Sequence, residues 1–468
     1  MKSNRNKYLI KNTLIFTLGN LGSKLITFFL IPLYTNTLST SQYGMIDLVA
    51  TVSTVVAPIL TINICESVMR FALDKDADQR QITHIGTYIF IFACLFGFLI
   101  IPICSLFDQT APYAILIYFY VISLAASQLY LCDLRGKELL LYYSIGNVLH
   151  TFLITVFNIV FLLVLRMEIE GYLLAFIIGS LMTAAYAFIV GKGYKSLKPK
   201  RINKKLLISM SKYSIVLIPN SFMWWIMNAS DRIMVTSMVG IAANGIYAVS
   251  YKLPALVSTL TSIFNQAWSY SAIREDGACD ETEYNNRVFK LLIGIVMLIG
   301  IGILTFVKPF LSIYVSEEFF PAWKYTPFLI IGYVYLTLGS FMATSYTVHK
   351  DSFGYLFSGM FGAVFNIALN FIFIPLINVY GAAITTGMSY FLVFLFRLIH
   401  TRKYMKYRIV NVEFILGSVI LFISSFAIYL NSQIGFTIQI LLFGIAVCFF
   451  GKPWVLMLRK LVNVKRRK

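Results

Sequence analysis

Charge is scarce in this chain: 13% of its 468 residues are Asp, Glu, Lys or Arg, against about 25% in a typical soluble domain. Long polar stretches are also lacking. The residues are 59% hydrophobic, the mean hydropathy is +0.78, and apolar runs recur from end to end. Together these exclude a water-facing globule and leave no room for a separate soluble domain. Cysteine is sparse, with Cys65, Cys94, Cys104, Cys132, Cys279 and Cys448 forming no CxxC spacing. Five of them lie in or beside apolar segments, where the thiol behaves as a small hydrophobe, so no disulfide or metal role is expected. There is no HExxH, no Walker loop, no GxSxG and no dinucleotide fingerprint. No cofactor, no metal and no enzymatic chemistry are expected from this sequence.

What is present is a series of apolar segments of membrane-crossing length, which takes about 20 residues. They predict an all-α integral membrane protein of about fourteen transmembrane helices. The spans fall near residues 11–36, 43–67, 83–107, 112–133, 139–165, 169–191 and 210–237, then 243–268, 288–315, 324–348, 354–377, 380–400, 412–430 and 435–457. The basic start, MKSNRNKYLIKN, is followed by a run long enough to span and by no small-residue cleavage site, so it is expected to be the first helix.

Acidic residues are few: 20, against 39 Lys and Arg, for a net charge of +19. In a soluble protein that surplus would suggest nucleic acid. Here it gathers in alternate loops, among them Arg70, Lys75 and Arg80; Arg135 and Lys137; Lys192 to Lys205; and Arg402 to Arg408, with a Lys465–Lys468 tail. Among the opposite loops, 37–43, 107–112, 238–243, 376–380 and 431–435 carry neither Lys nor Arg; the exceptions on that side are Arg166, beside Glu168 and Glu170, and Lys308 with Lys324, near Glu317 and Glu318. This obeys the positive-inside rule and predicts a plasma-membrane protein with both termini in the cytoplasm. The bilayer is the expected partner, nucleic acid is not, and the basic loops also attract anionic headgroups.

Two segments resemble each other. SQYGMIDL at 41–48 and AANGIYAV at 242–249 both follow a predicted span, and Gly44 and Gly245 occupy matching places. The basic 192–206 stretch lies between two six-helix blocks. The chain therefore reads as an N-terminal lobe (1–191), a cytoplasmic linker (192–206), a C-terminal lobe (207–402) in parallel pseudo-two-fold repeat, and a further pair of helices with a basic tail (403–468). Such repeats accompany alternating access around a central site.

Ionisable residues inside spans cost roughly 2.5–3.5 kcal/mol each at the helix centre and mark function by default. Asp47, Glu66, Asp133, His349, Arg397 and His400 fall near helix ends, where they are expected to snorkel or sit among headgroups. Four others do not: Lys24, Asp231, Arg232 and Lys252. Lys24 sits roughly 20 Å along the first span at 1.5 Å per residue, with Asn20 a turn below. Asn220, Trp224, Asn228 and Asp231 share one face by their spacing. Lys252 should lie about two turns into the eighth span. Lys24, Arg232 and Lys252, with Asn20 and Asn228, predict a cationic cavity for an anionic ligand such as a pyrophosphate, for which the Arg fork is suited. Asp231 is either an ion-coupling group or the counter-ion of these cations. The alternative for the set is a buried structural ion pair, Asp231 with Lys252 or Lys24. Tyr34, Trp224, Trp225, Tyr247, Tyr251 and Trp268 stack on sugars or form an interfacial belt. Gly354, Gly359 and Gly362 are expected to allow close helix packing.

The run Asn228-Ala229-Ser230-Asp231-Arg232-Ile233-Met234, followed by Gly245-Ile246-Tyr247-Ala248-Val249-Ser250-Tyr251-Lys252, resembles the helix seven–eight signature of Wzx-type polysaccharide repeat-unit flippases. These belong to the multidrug/oligosaccharidyl-lipid/polysaccharide (MOP) exporter superfamily. Gly19–Lys24 with Ile31–Tyr34, Ser41–Gly44, Phe264–Ser269 and Glu66–Phe71 are similar to the same family. The resemblance implies a MATE-like bundle of two six-helix lobes plus two peripheral helices. It also implies flipping of undecaprenyl-pyrophosphate-linked oligosaccharide between leaflets, with polysaccharide polymerase or assembly machinery as protein partners. Two other functions compete: a MATE-like cation or drug antiporter, which predicts a carboxylate-dominated cavity, and a membrane polymerase or acyltransferase, which predicts a long outer loop. The Lys/Arg surplus and the short outer loops count against these.

Overall fold

A computed structural model describes residues 22, 24, 26–74, 76–196, 202–275, 281–409 and 411–465, and every regular element among them is helical. Ten helices among the described residues are long and apolar enough to cross a membrane. Thr40–Leu60, Gln79–Ser105, Ala111–Gly136, Leu140–Val164 and Glu168–Val190 coincide with expected spans two to six. Glu281–Tyr314, Thr326–Val348, Ser352–Ile377, Val379–Lys403 and Gln433–Gly451 coincide with spans nine to twelve and fourteen. Span thirteen is the shorter apolar helix Val412–Ala427. Spans seven and eight are also helical, Lys204–Met238 and then Ile241–Ser250 with Lys252–Glu275; they stand outside the ten and carry Asp231, Arg232 and Lys252. Most of the first span, the 197–201 linker residues, Cys279 and the Arg466–Lys468 tail lie outside the described residues. Large apolar side chains such as Leu106, Ile313 and Phe353 are exposed on the bundle surface, as lipid contact requires.

The chain forms two compact units that divide between Trp225 and Ile226, inside the Lys204–Met238 helix. In the first unit, Ile64, Val68, Ala72, Ile82, Ile85, Leu129 and Met210 form a buried apolar cluster. The start of the Lys204–Met238 helix is held there by polar contacts. Ser67 Oγ donates to Met210 O at 2.6 Å and also lies 2.6 Å from Ser214 Oγ. Trp225 Nε1 donates to Thr51 O at 2.9 Å. The second expected span is interrupted. Thr40–Leu60 ends, Ile62 and Asn63 take positive φ of 47° and 55°, and Ile64–Ala72 begins anew. Pro58 weakens the last turns of the first piece by removing one donor. Asn63 tolerates the left-handed region, whereas β-branched Ile62 adopts it at a cost of roughly 1–2 kcal/mol.

In the second unit, Thr326–Val348 packs on Val379–His400 through small residues. A Cβ on Gly332 would lie 2.9 Å from the Gly387 Cα, so the two backbones approach as closely as glycine permits. Gly359, expected to do the same, faces open space, whereas a Cβ at Gly354 would strike Asp351, His400 and Tyr346. Close approach in this unit is thus seen at Gly332, Gly387, Gly354 and Gly381, not at Gly359. Asp351 caps Ser352–Ile377, accepting from Gly354 N at 2.8 Å, Lys403 Nζ at 3.0 Å and Tyr404 Oη at 2.9 Å. Those contacts, the Gly354 N–H first, lower its carboxyl to about 2.

Gly381 gives a direct test of this packing. A Cβ there would sit 2.4 Å from Phe373 O and 2.5 Å from its carbonyl carbon, and a backbone cannot step aside as a side chain can. We expect Gly381→Ala to destabilise the protein by roughly 1–3 kcal/mol, seen as a lower thermal unfolding midpoint in detergent. Gly359→Ala, with open space around it, should unfold no earlier than the parent; equal midpoints for the two variants would contradict the packing.

Candidate functional site

The polar centre of the second unit is Asp231, 1% exposed. A carboxylate so deeply buried is stable only when its charge is met by donors. Tyr247 Oη donates to its Oδ2 at 2.7 Å, Thr386 Oγ1 at 3.1 Å, and Tyr251 Oη donates to the same oxygen. The Arg232 backbone N–H donates to Oδ1 at 2.9 Å. The donors come from three elements. Tyr247 closes from the Ile241–Ser250 helix, Tyr251 follows one turn later at the i+4 position, and Thr386 projects from Val379–His400.

The network runs on, and it has a direction. Thr385 Oγ1 donates to Asn370 Oδ1, and Asn370 Nδ2 donates to Asn366 Oδ1 at 3.0 Å. Asn366 Nδ2 donates to Thr386 Oγ1 at 3.4 Å, and Thr386 donates to Asp231. Ser230 Oγ joins at Asn366 Oδ1, at 2.9 Å. Each group polarises the next toward the carboxylate, and such chains strengthen in a low-dielectric interior. All the heteroatoms are oxygen or amide nitrogen, and the acceptor oxygens suit a hard monovalent cation or a proton, not a soft metal. Among the described residues no three His, Cys, Asp or Glu side chains gather as a metal site. Asn366, Asn370, Thr385 and Thr386 are not among the residues that the charge pattern of the sequence points to. The available signal was an Asn pair at i and i+4 inside an otherwise apolar span.

Arg232 is half-buried, with its guanidinium carbon 5.0 Å from the centroid of the Tyr251 ring, so one tyrosine both donates to the anion and faces the cation. Lys252 is half-buried too, and it stands where the eighth span is divided into two helices. The chain breaks at Tyr251, and Lys252 opens the Lys252–Glu275 helix. Pro254 explains the break: it has no N–H to give Ser250 O, and Thr326 Oγ1 donates to that carbonyl at 3.4 Å. Lys24 belongs to the first unit and its side chain is exposed. Asn20 lies outside the described residues; Asn220, Trp224 and Asn228 lie on the Lys204–Met238 helix with side chains outside the description. The structure therefore joins Asp231, Arg232 and Tyr251 directly.

Three residues assigned to headgroups are internal, Asp47, Arg397 and Asp133, the first 7% exposed. Arg397 is 1% exposed, its Nε donates to Ser358 Oγ at 3.1 Å, and its guanidinium carbon lies 5.6 Å from the Tyr355 ring centroid. Asp133, also 1% exposed, accepts from Thr83 Oγ1 and Lys137 Nζ, each at 2.6 Å. Linear distance from a helix end misjudged them, because it ignores what packs there: Ser358 and Tyr355 cover Arg397, and Thr83 and Gly191 cover Asp133.

Residues 9–270, more than half of the chain, match the polysaccharide biosynthesis protein family. The chain belongs to that family. No curated protein matches it. Among solved structures, this polysaccharide biosynthesis protein resembles lipid II flippase MurJ in an inward closed conformation, at 13% identity and a TM-score of 0.65, over 96% of this chain and 100% of that one. It resembles an inward-facing multidrug resistance MATE family transporter of the MOP superfamily at 13% identity and a TM-score of 0.59, covering 87% and 95%. A MOP superfamily transporter from Pyrococcus furiosus, described by a binding pocket of reverse polarity, aligns at 14% identity and a TM-score of 0.53, covering 89% and 95%. At such identities the likeness establishes the fold alone: the family member is an all-helical, multi-pass membrane protein folded like MurJ and the MATE transporter.

Proposed function

We propose that this family member is a flippase for undecaprenyl-pyrophosphate-linked oligosaccharide repeat units. It moves them from the cytoplasmic to the outer leaflet of a bacterial plasma membrane by alternating access. In this reading the chain crosses the membrane fourteen times with both ends in the cytoplasm, and it is a carrier with no catalytic step. The observation that carries the reading is the cation-rich segment 231–252, in which Arg232 and Lys252 outnumber Asp231 two to one inside a membrane bundle. Arg232 and Lys252 are proposed to contact the pyrophosphate, with Lys24 a third contact and Asn20 and Asn228 polar partners. Family membership and the MurJ-like fold support the same class of cargo. The Asp231 network adds a role for the anion: a buried, hydroxyl-caged carboxylate is suited to take up a proton or monovalent cation in one state of the cycle and release it in the other.

Deleting the gene in its native host tests this. Undecaprenyl-pyrophosphate-linked oligosaccharide should accumulate in the inner leaflet, measured by mass spectrometry of extracted lipids with sidedness probing, and surface polysaccharide should fall. Normal lipid levels and normal sidedness, together with new sensitivity to cationic dyes, would replace the reading with drug export.

A further inference from the structure

The first unit contains a cation-lined cavity that the proposed transport cycle does not use. It measures about 620 Å³ and lies wholly among helix ends of that unit, between residues 79–83, 137–142 and 190–196. Four cations line it: Arg80, Lys137, Lys192 and Lys195. One is already matched, since Lys137 Nζ donates to Asp133 at 2.6 Å and to Gly191 O at 2.8 Å. Arg80, Lys192 and Lys195 are exposed and make no ion pair with a described residue. The cavity wall therefore holds three cations that no described carboxylate neutralises.

The lysines are held there by a pinned turn, not by a loose loop. Lys192 has a positive φ of 55°, and Gly193–Ser196 forms one 3₁₀ turn. Ser196 Oγ donates to Gly193 O at 2.6 Å, and His84 Nδ1 lies 2.7 Å from Ser196 O. A Cβ at Gly193 would strike the Phe188 ring at 2.3 Å, and one at Gly191 would sit 3.1 Å from Asp133 Oδ2. The turn thus presses onto the helices only because both positions lack side chains, and Lys192 and Lys195 stand at the cavity as a consequence. The other part of the wall is apolar, with Leu139, Tyr142 and Val190. It continues onto the exposed face Leu141, Tyr142 and Ile145 of a membrane-crossing helix.

We infer that this cavity is a phosphate site that holds the headgroup of an anionic phospholipid, with the acyl chains lying along Leu141, Tyr142 and Ile145. Basic pockets between helices on the cytoplasmic side take such headgroups, and by the distribution of Lys and Arg this is the cytoplasmic side. Lys serves phosphate as a point charge and Arg as a fork, and this wall offers both. A freely soluble phosphate shares that charge chemistry but has no use for the adjoining apolar face. The site does not depend on which cargo the protein moves.

The test uses full-length protein in neutral detergent, with thermal unfolding followed against short-chain phosphatidylglycerol, phosphatidylcholine or inorganic phosphate. Phosphatidylglycerol should raise the midpoint saturably, and the other two should not. The double variant Lys192→Gln/Lys195→Gln should weaken the apparent affinity about thirtyfold, each cation near a headgroup contributing roughly a factor of five. Arg70→Gln, whose partner Asp74 lies off the cavity wall, should leave it unchanged. If the double variant fails to fold, Arg80→Gln should show the single-cation loss of about fivefold. Equal stabilisation by inorganic phosphate would overturn the lipid assignment in favour of a soluble ligand. Equal stabilisation by phosphatidylcholine, or wild-type affinity in the charge variants, would overturn the site itself.

Discussion

Arg232→Ala should lower translocation of lipid-linked oligosaccharide by about tenfold to a hundredfold while the protein remains folded and in the membrane. A charge-assisted hydrogen bond to a phosphate is worth roughly 1.5–3 kcal/mol, and 1.4 kcal/mol is a factor of ten. The fold should survive because Arg232 is only half-buried and its side chain rests against the Tyr251 ring. Its backbone N–H, which serves the Asp231 carboxylate, is untouched by the substitution. Arg232→Lys keeps the charge but loses the fork, so it should recover part of the lost activity. The measurement is the rate of lipid-linked oligosaccharide flipping in reconstituted vesicles, set beside surface polysaccharide in cells. Full output from both variants would remove Arg232 from the substrate site.

The second large effect belongs to Asp231, and it divides fold from function. Asp231→Ala takes away the shared acceptor of Tyr247, Tyr251 and Thr386 at once. Three hydroxyls buried beside one another then lose their partner, and breaking a buried charged network costs roughly 3–5 kcal/mol. Against a total stability of about 5–15 kcal/mol this is severe, so little folded protein should be recovered from detergent. Asp231→Asn keeps the volume and one acceptor oxygen but not the charge. It should fold, with a lower unfolding midpoint, and should no longer respond to an imposed ion gradient in a flipping assay. An Asp231→Ala protein as stable as the parent would show that the hydroxyl cage is not what holds these three elements together. An Asp231→Asn protein with an unchanged gradient response would remove the coupling role and leave the carboxylate as a structural counter-ion.

Much of this protein was legible in its sequence, and the reason is local. Whether a segment enters a membrane depends on its own mean hydropathy over about 20 residues, so the spans predicted near 83–107 and 169–191 reappear as Gln79–Ser105 and Glu168–Val190. The run from Asn228 to Lys252 resembles a signature of the family by its residues alone, and residues 9–270 match the polysaccharide biosynthesis protein family. That Asp231 and Arg232 would need partners was legible too, because a charge inside an apolar span is costly wherever the helix packs.

What surrounds those charges was not legible. The cage around Asp231 needs Thr386, which is 155 residues away in sequence, and the relay behind it needs Asn366 and Asn370 to face the same helix. Arg397 reads as a snorkelling helix-end residue and is fully enclosed. Gly359 reads as a packing glycine and faces open space, while Gly332 meets Gly387. Hydropathy, charge alternation and local motifs are sums over neighbours along the chain, and the sequence by itself determines them. Which face of a helix meets which partner is set by non-local packing and by where buried donors find acceptors, and only the tertiary structure decides that.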